Sequence, residues 1–154
     1  MKQVKIIEFE EQYHENYKRL SYEWLEKYIS VEPEDEKILN DPWGVVLNNG
    51  GYIFFAKHDK EIVGTVSLLK IDNETFELAK LAVTERYKGM KIGHALMAKC
   101  MEFARRDNAK KLILYTNKKL VPAIELYKKF GFKELRIVDN KYLEADMKMK
   151  IDIS

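Results

Sequence analysis

Between residues 80 and 97 the chain reads KLAVTERYKGMKIGHALM, its densest concentration of potential chemistry. Lys88, Gly89, Met90 and Lys91 form a loop that opens directly onto an amphipathic helix beginning Ile92-Gly93-His94. The first N–H groups of a helix lack intrahelical partners and carry about half a positive charge, so such a junction suits a phosphate. Glycines let the backbone approach closely, and Lys88, Lys91 and His94 add positive charge. The spacing follows neither G-x-x-x-x-G-K-[ST] nor G-x-G-x-x-G, so neither a P-loop nor a Rossmann nucleotide site is supported.

Charge is distributed unevenly. Residues 20–43 carry seven acids and two bases, whereas residues 84–133 carry thirteen bases and four acids. That asymmetry suits one anionic client and one cationic or neutral client. Other chemistries find little support. The three histidines (His14, His58, His94) lack metal-ligand spacing, and a single cysteine excludes a Cys-rich zinc site, so no metal is expected. Cys100 falls on the apolar stripe of a helix, a core position. No nucleophile elbow is present. Aromatic residues do not interleave the lysines of the basic helices, which argues against nucleic acid as a partner.

These residues need a scaffold, and 154 residues suffice for one domain spanning 1–154, burying roughly two-thirds of the unfolded surface. No apolar run approaches the roughly 20 residues that cross a bilayer, and no signal-peptide core follows Met1, so a soluble cytoplasmic protein without a membrane partner is expected. Strands are predicted at residues 4–9, 52–57, 62–71, 75–83 and 111–116, with a final hairpin over 132–138 and 142–151. Helices are predicted at 12–29, in a short piece after Asp41-Pro42, from Ile92 onward, and from Pro122 to a stop at Gly131. The resulting order, β-α-α-β-β-β-α-β-α-β-β, describes an α+β fold. It is a mixed, mostly antiparallel sheet of about seven strands with helices on both faces.

At this point the sequence resembles the GNAT superfamily of N-acetyltransferases. Three segments match in order: ELAKLAV (residues 77–83), YKGMKIGHALM (87–97) and TNKKLVPAIELYKKFGF (116–132). Two departures are visible. Lys88 stands where the family usually has Arg or Gln, and Lys91 stands where it usually has Gly. A lysine at the latter costs on the order of 1–2 kcal/mol if the backbone there is left-handed.

The resemblance implies acetyl-CoA as co-substrate, with the backbone of Leu81 and Val83 pairing with pantetheine. It also implies that residues 88–93, with His94, hold the pyrophosphate. Asn117 then contacts the cofactor or fixes splayed strands, an Asn-built turn being the structural alternative. Tyr127 corresponds to the family tyrosine that protonates the departing thiolate, and Glu77 to a general base found in part of the family. The first two helices line the acceptor side, which puts Trp24, Tyr28, Glu32, Trp43 and Tyr142 forward as contacts for a small-molecule or peptide amine acceptor, the acidic cluster suiting a cationic one. A homodimer is compatible with the family. A non-catalytic acetyl-CoA sensor is the alternative function.

Overall fold

The central strands are apolar on both faces, which is why residues 53–56 read Ile-Phe-Phe-Ala without a polar break. In the computed structural model, which describes residues 4–87, 91–137 and 142–153, β2 (Tyr52–His58) and β3 (Glu61–Lys70) are interior strands of a seven-stranded sheet. Its order is β1 (Val4–Glu8), β2, β3, β4 (Thr75–Val83), β5 (Lys111–Thr116), β7 (Met147–Asp152), β6 (Lys133–Leu135). Among the described residues every neighbouring pair is antiparallel except β4–β5.

Alternate residues of β2 feed two cores. Phe54 and Ala56 pack with Leu96, Met97 and Leu112 beneath α4 (Ile92–Arg106) and α5 (Val121–Phe130). Ile53 and Phe55 pack with Tyr17, Leu20 and Leu39 beneath α1 (His14–Tyr28), α2 (Pro33–Asn40) and α3 (Pro42–Val45). Each fully buried Leu or Phe contributes roughly 1.5–3 kcal/mol. Tyr17 is wholly buried, its hydroxyl sharing a 2.7 Å hydrogen bond with Ser67 Oγ, and desolvation raises its pKa. Gly64 brings α4 down onto β3: a Cβ there would sit 3.0 Å from Ile92 Cγ2 and 3.2 Å from Leu96 Cδ1.

The structure corrects the expected elements in three places. A 3-10 turn (Glu11–Tyr13) precedes α1 where one continuous helix was expected. The acidic stretch after Val31 starts a helix, α2, adding a third helix between β1 and β2. Its stability is local: Pro33 occupies the first turn, Glu34, Asp35 and Glu36 face the positive helix end, and Asp35 Oδ2 accepts the Glu32 amide at 2.8 Å. Finally, the last hairpin is short. Tyr142 lies before β7 rather than on it, in a long connection from β6.

Candidate active site

The parallel ladder between β4 and β5 stops early. Thr75, Phe76 and Glu77 pair with Lys111, Leu112 and Ile113, yet β4 runs on to Val83 and β5 to Thr116. Beyond that point the strands separate and a seam opens. On its other side β4 also loses register with β3, between the pairs Ser67–Ala79 and Thr65–Ala82. Lys80 sits in this bulge with φ +57°. One extra residue exchanges the faces of the sheet. Leu78 points to the core beneath α4, and after the bulge so do Leu81 and Val83, both partly buried there. The Lys80 side chain is delivered to the opposite side.

There it meets Asp35 in an ion pair, Lys80 Nζ to Asp35 Oδ1, with side-chain exposures of 7% and 4%. Lys80 Nζ also lies 5.1 Å from the centroid of the Tyr142 ring. The Tyr142 hydroxyl donates to Glu77 Oε2 at 3.0 Å. Burial, then the negative charge of Glu77, push the Tyr142 phenol well above its ordinary pKa, so it stays a donor. Glu77 is 1% exposed. Glu32, 6% exposed, accepts the backbone N–H groups of Leu143 (2.6 Å) and Glu144 (2.9 Å). Asn117 bridges the end of β5 to the same connection, donating from Nδ2 to Glu144 O at 2.6 Å, while its Oδ1 accepts the Lys119 amide.

These groups surround a cleft of about 780 Å³, open mouth included, running along the seam. Trp24, Ser21, Glu32 and Asp35 border it on one side, Glu77 through Ala82 form its floor, and Tyr115, Asn117, Tyr127, Tyr142 and Glu144 close the other. Tyr127 is buried, and desolvation pushes its phenol up to about 12. No hydrogen bond joins its hydroxyl to another described residue. Two buried polar atoms lack partners among the described residues, Ser21 Oγ and Glu144 Oε2, and both residues border this cleft.

Not every candidate residue converges here. Trp43 packs on Phe9 (5.8 Å between ring centroids) and His14 (4.7 Å), away from the cleft lining. Tyr28 packs at a tilt against Trp24, ring centroids 5.3 Å apart, and donates a hydrogen bond to Glu85. His94 packs at a tilt against Phe130, ring centroids 4.7 Å apart. Ile92 is a core residue, and a Cβ on Gly93 would meet Leu126 Cδ2 at 3.3 Å, so these two positions set how α4 packs. Lys91 precedes α4 in the left-handed region (φ 59°, ψ 25°) that the family glycine would occupy freely. Lys88, Gly89 and Met90 lie outside the described residues. Cys100 is fully buried, its thiol pushed up by desolvation.

Sequence reasoning missed Lys80. The signal was present: by strict alternation a lysine two residues after Leu78 would enter the apolar core, and that conflict marks a bulge.

The profile of the Acetyltransferase (GNAT) family matches residues 10–132. Human N-acetyltransferase 8B is 30% identical over 90 residues, 55% of this chain and 40% of that protein, so the match spans under half of the relative. The crystal structure of a GNAT-family acetyltransferase from Staphylococcus aureus Mu50 superposes with a TM-score of 0.91 at 25% identity, covering 99% of this chain and 100% of that one. The PaiA N-acetyltransferase of Thermoplasma acidophilum, solved in complex with coenzyme A, shares the fold (TM-score 0.75, 18% identity, 97% and 99% covered).

The fold and the family match agree on a class, the GNAT acetyltransferases. This chain belongs to the GNAT family. Among the described residues no helix is long and apolar enough to cross a membrane, and no group of His, Cys, Asp and Glu is arranged to hold a metal ion.

Proposed function

We propose that the chain transfers the acetyl group of acetyl-CoA to a primary amine, with both substrates in the cleft together. The observation that carries this reading is the β4–β5 ladder ending at Glu77–Ile113 while both strands continue. Unpaired strand edges offer main-chain groups to an extended ligand. Leu81 and Val83 would supply them to pantetheine, and the start of α4, with Lys91, would take the pyrophosphate.

An alkyl amine with pKa about 10 arrives protonated at neutral pH. Glu77 accepts that proton, directly or through water. The amine nitrogen then attacks the thioester carbonyl carbon, and the Leu81 N–H polarises the carbonyl oxygen. As the C–N bond forms and the C–S bond breaks, Tyr127 donates its proton to the leaving thiolate, and the second proton shed by the acylated nitrogen restores the Tyr127 phenol. A phenol raised by burial stays protonated until needed.

The acceptor is cationic in this reading. Glu32, Asp35, Glu77 and Glu144 border the cleft against the single cation Lys80 among its described lining residues, and Glu144 Oε2 is buried without a partner there. An acceptor bearing positive charge would satisfy that oxygen. The reading extends to a cytoplasmic protein, supported by a single buried cysteine that needs no oxidising compartment.

The test is thiol release from acetyl-CoA with spermidine, an amino sugar, a free amino acid and a peptide N-terminus. Turnover of the polyamine or amino sugar is expected. Turnover only with anionic or neutral amines would overturn the cationic acceptor. Tight acetyl-CoA binding with no amine consumed would overturn the enzyme.

A further inference from the structure

The carboxylate of Glu32 sits beside the acceptor cleft, but its two oxygens are occupied. Oε1 accepts the Leu143 amide and Oε2 the Glu144 amide, across more than a hundred residues of sequence. Two amides from adjacent residues on one carboxylate form a clasp that fixes that peptide in both position and orientation. Besides the clasp, Asn117 Nδ2 holds the Glu144 carbonyl at 2.6 Å, whereas the Leu143 residue is 84% exposed and adds no apolar packing. On one side of the clasped peptide stands Tyr142, whose hydroxyl reaches Glu77. On the other stands the Glu144 carboxylate at the cleft wall.

The clasp is itself braced. The Glu32 amide donates to Asp35 Oδ2, Asp35 Oδ1 pairs with Lys80, and Lys80 Nζ lies over the Tyr142 ring. A closed circuit therefore runs from Glu32 through the connection to Tyr142, and back through Lys80 and Asp35.

We propose that Glu32 is a positioning residue for acetyl transfer: by clasping residues 143 and 144 it sets the Tyr142 hydroxyl on Glu77. This rests on the reading of Glu77 as the proton acceptor. In this role Glu32 lines the cleft but needs no direct contact with either substrate, because both of its oxygens are taken by backbone amides. It acts through Tyr142, and a hydrogen-bonded carboxylate held in one rotamer meets the incoming ammonium without searching for it.

The test uses the full-length chain with Glu32→Gln, Tyr142→Phe and the double variant. The probe amine is the best acceptor among the four classes named above. Glu32→Gln places an amide donor against one backbone N–H, and kcat should fall by about 10- to 100-fold, the scale of a catalytic group displaced by an ångström. KM for acetyl-CoA and the calorimetric affinity for coenzyme A should not move. Because Glu32 works through Tyr142, the double variant should be no slower than the worse single variant. If the two losses multiply, or if Glu32→Gln keeps full kcat, the proposal fails.

A second readout needs no turnover. In fluorotyrosine-labelled protein, the fluorine resonance of Tyr142, assigned by its loss in Tyr142→Phe, should shift towards the solvent-exposed position in Glu32→Gln. An unmoved resonance overturns the clasp. If Glu32→Gln does not fold, Glu32→Asp keeps the charge, shortens the arm by one methylene and carries the same expectations. Should Glu77→Gln retain full kcat while the resonance still moves, the reading of Glu77 fails and the clasp survives.

Discussion

The two walls of the cleft are built by opposite means. The wall assigned to acetyl-CoA uses backbone: the unpaired stretch of β4, the start of α4 and a tyrosine on α5, all resting on one large apolar core. The wall assigned to the amine uses side chains: Glu32, Asp35, Lys80, Glu77 and Tyr142, from three separate parts of the chain, held by charge-assisted contacts. Backbone recognition tolerates sequence change provided the fold persists. A side-chain network depends on each member, because a half-satisfied buried network is costly. The donor wall therefore suits a function shared across a family, and the acceptor wall suits a specificity that changes from member to member.

The sharpest way to break this contrast is Tyr127→Phe, a donor-wall change that removes one atom and little packing. It should lower kcat by about a hundred- to ten-thousand-fold, with coenzyme A affinity by calorimetry unchanged. An unaffected kcat would move the acid elsewhere.

Lys80→Met strikes the other wall and should act on stability. It leaves Asp35 buried without its cation, at a cost of about 3–5 kcal/mol in urea unfolding. Adding Asp35→Asn, which can still accept the Glu32 amide, should restore most of the loss.

Alkaline pH separates folded from unfolded behaviour at Tyr127. Its folded pKa of about 12 exceeds the roughly 10 of an exposed tyrosine, so the folded state binds the extra proton between them. That contribution is whole below pH of about 10 and disappears as pH rises towards 12, about 3 kcal/mol in all. Stability curves should fall over that window and fall less in Tyr127→Phe.

The smallest effect concerns the loop before α4. Lys91→Gly relieves a left-handed side chain and should raise stability by about 1 kcal/mol, read as a higher Tm. If Lys91 also reaches a phosphate, coenzyme A affinity should drop in the same variant.

The donor wall was largely legible in the sequence. β4 and β5 were bounded correctly, because apolar runs flanked by turn residues announce strands, and Pro122 and Gly131 bracket α5. The acceptor wall was not. The helix α2 has only Ile38 and Leu39 to bury, too few for a period, although Pro33 after an acidic cap was an available sign. Alternating neighbours predict a strand at Tyr142, whereas β7 starts only at Met147 and the amides of residues 143 and 144 bond to a carboxylate from the far end of the chain instead. Contacts between residues a hundred positions apart leave no local pattern. Trp43 illustrates the converse: aromatic and next to acids, it resembles a binding residue, yet it packs on Phe9 and His14.

The supernumerary residue at position 80 has a consequence for how this protein can change over time. A strand whose even-numbered residues face the core beneath α4 before its midpoint and whose odd-numbered residues face the same core after it cannot lose or gain a residue there without sending every later side chain to the wrong neighbour. The count of residues within β4 is locked. Swapping in a new amine preference should therefore proceed by substitution along this strand, never by insertion or deletion.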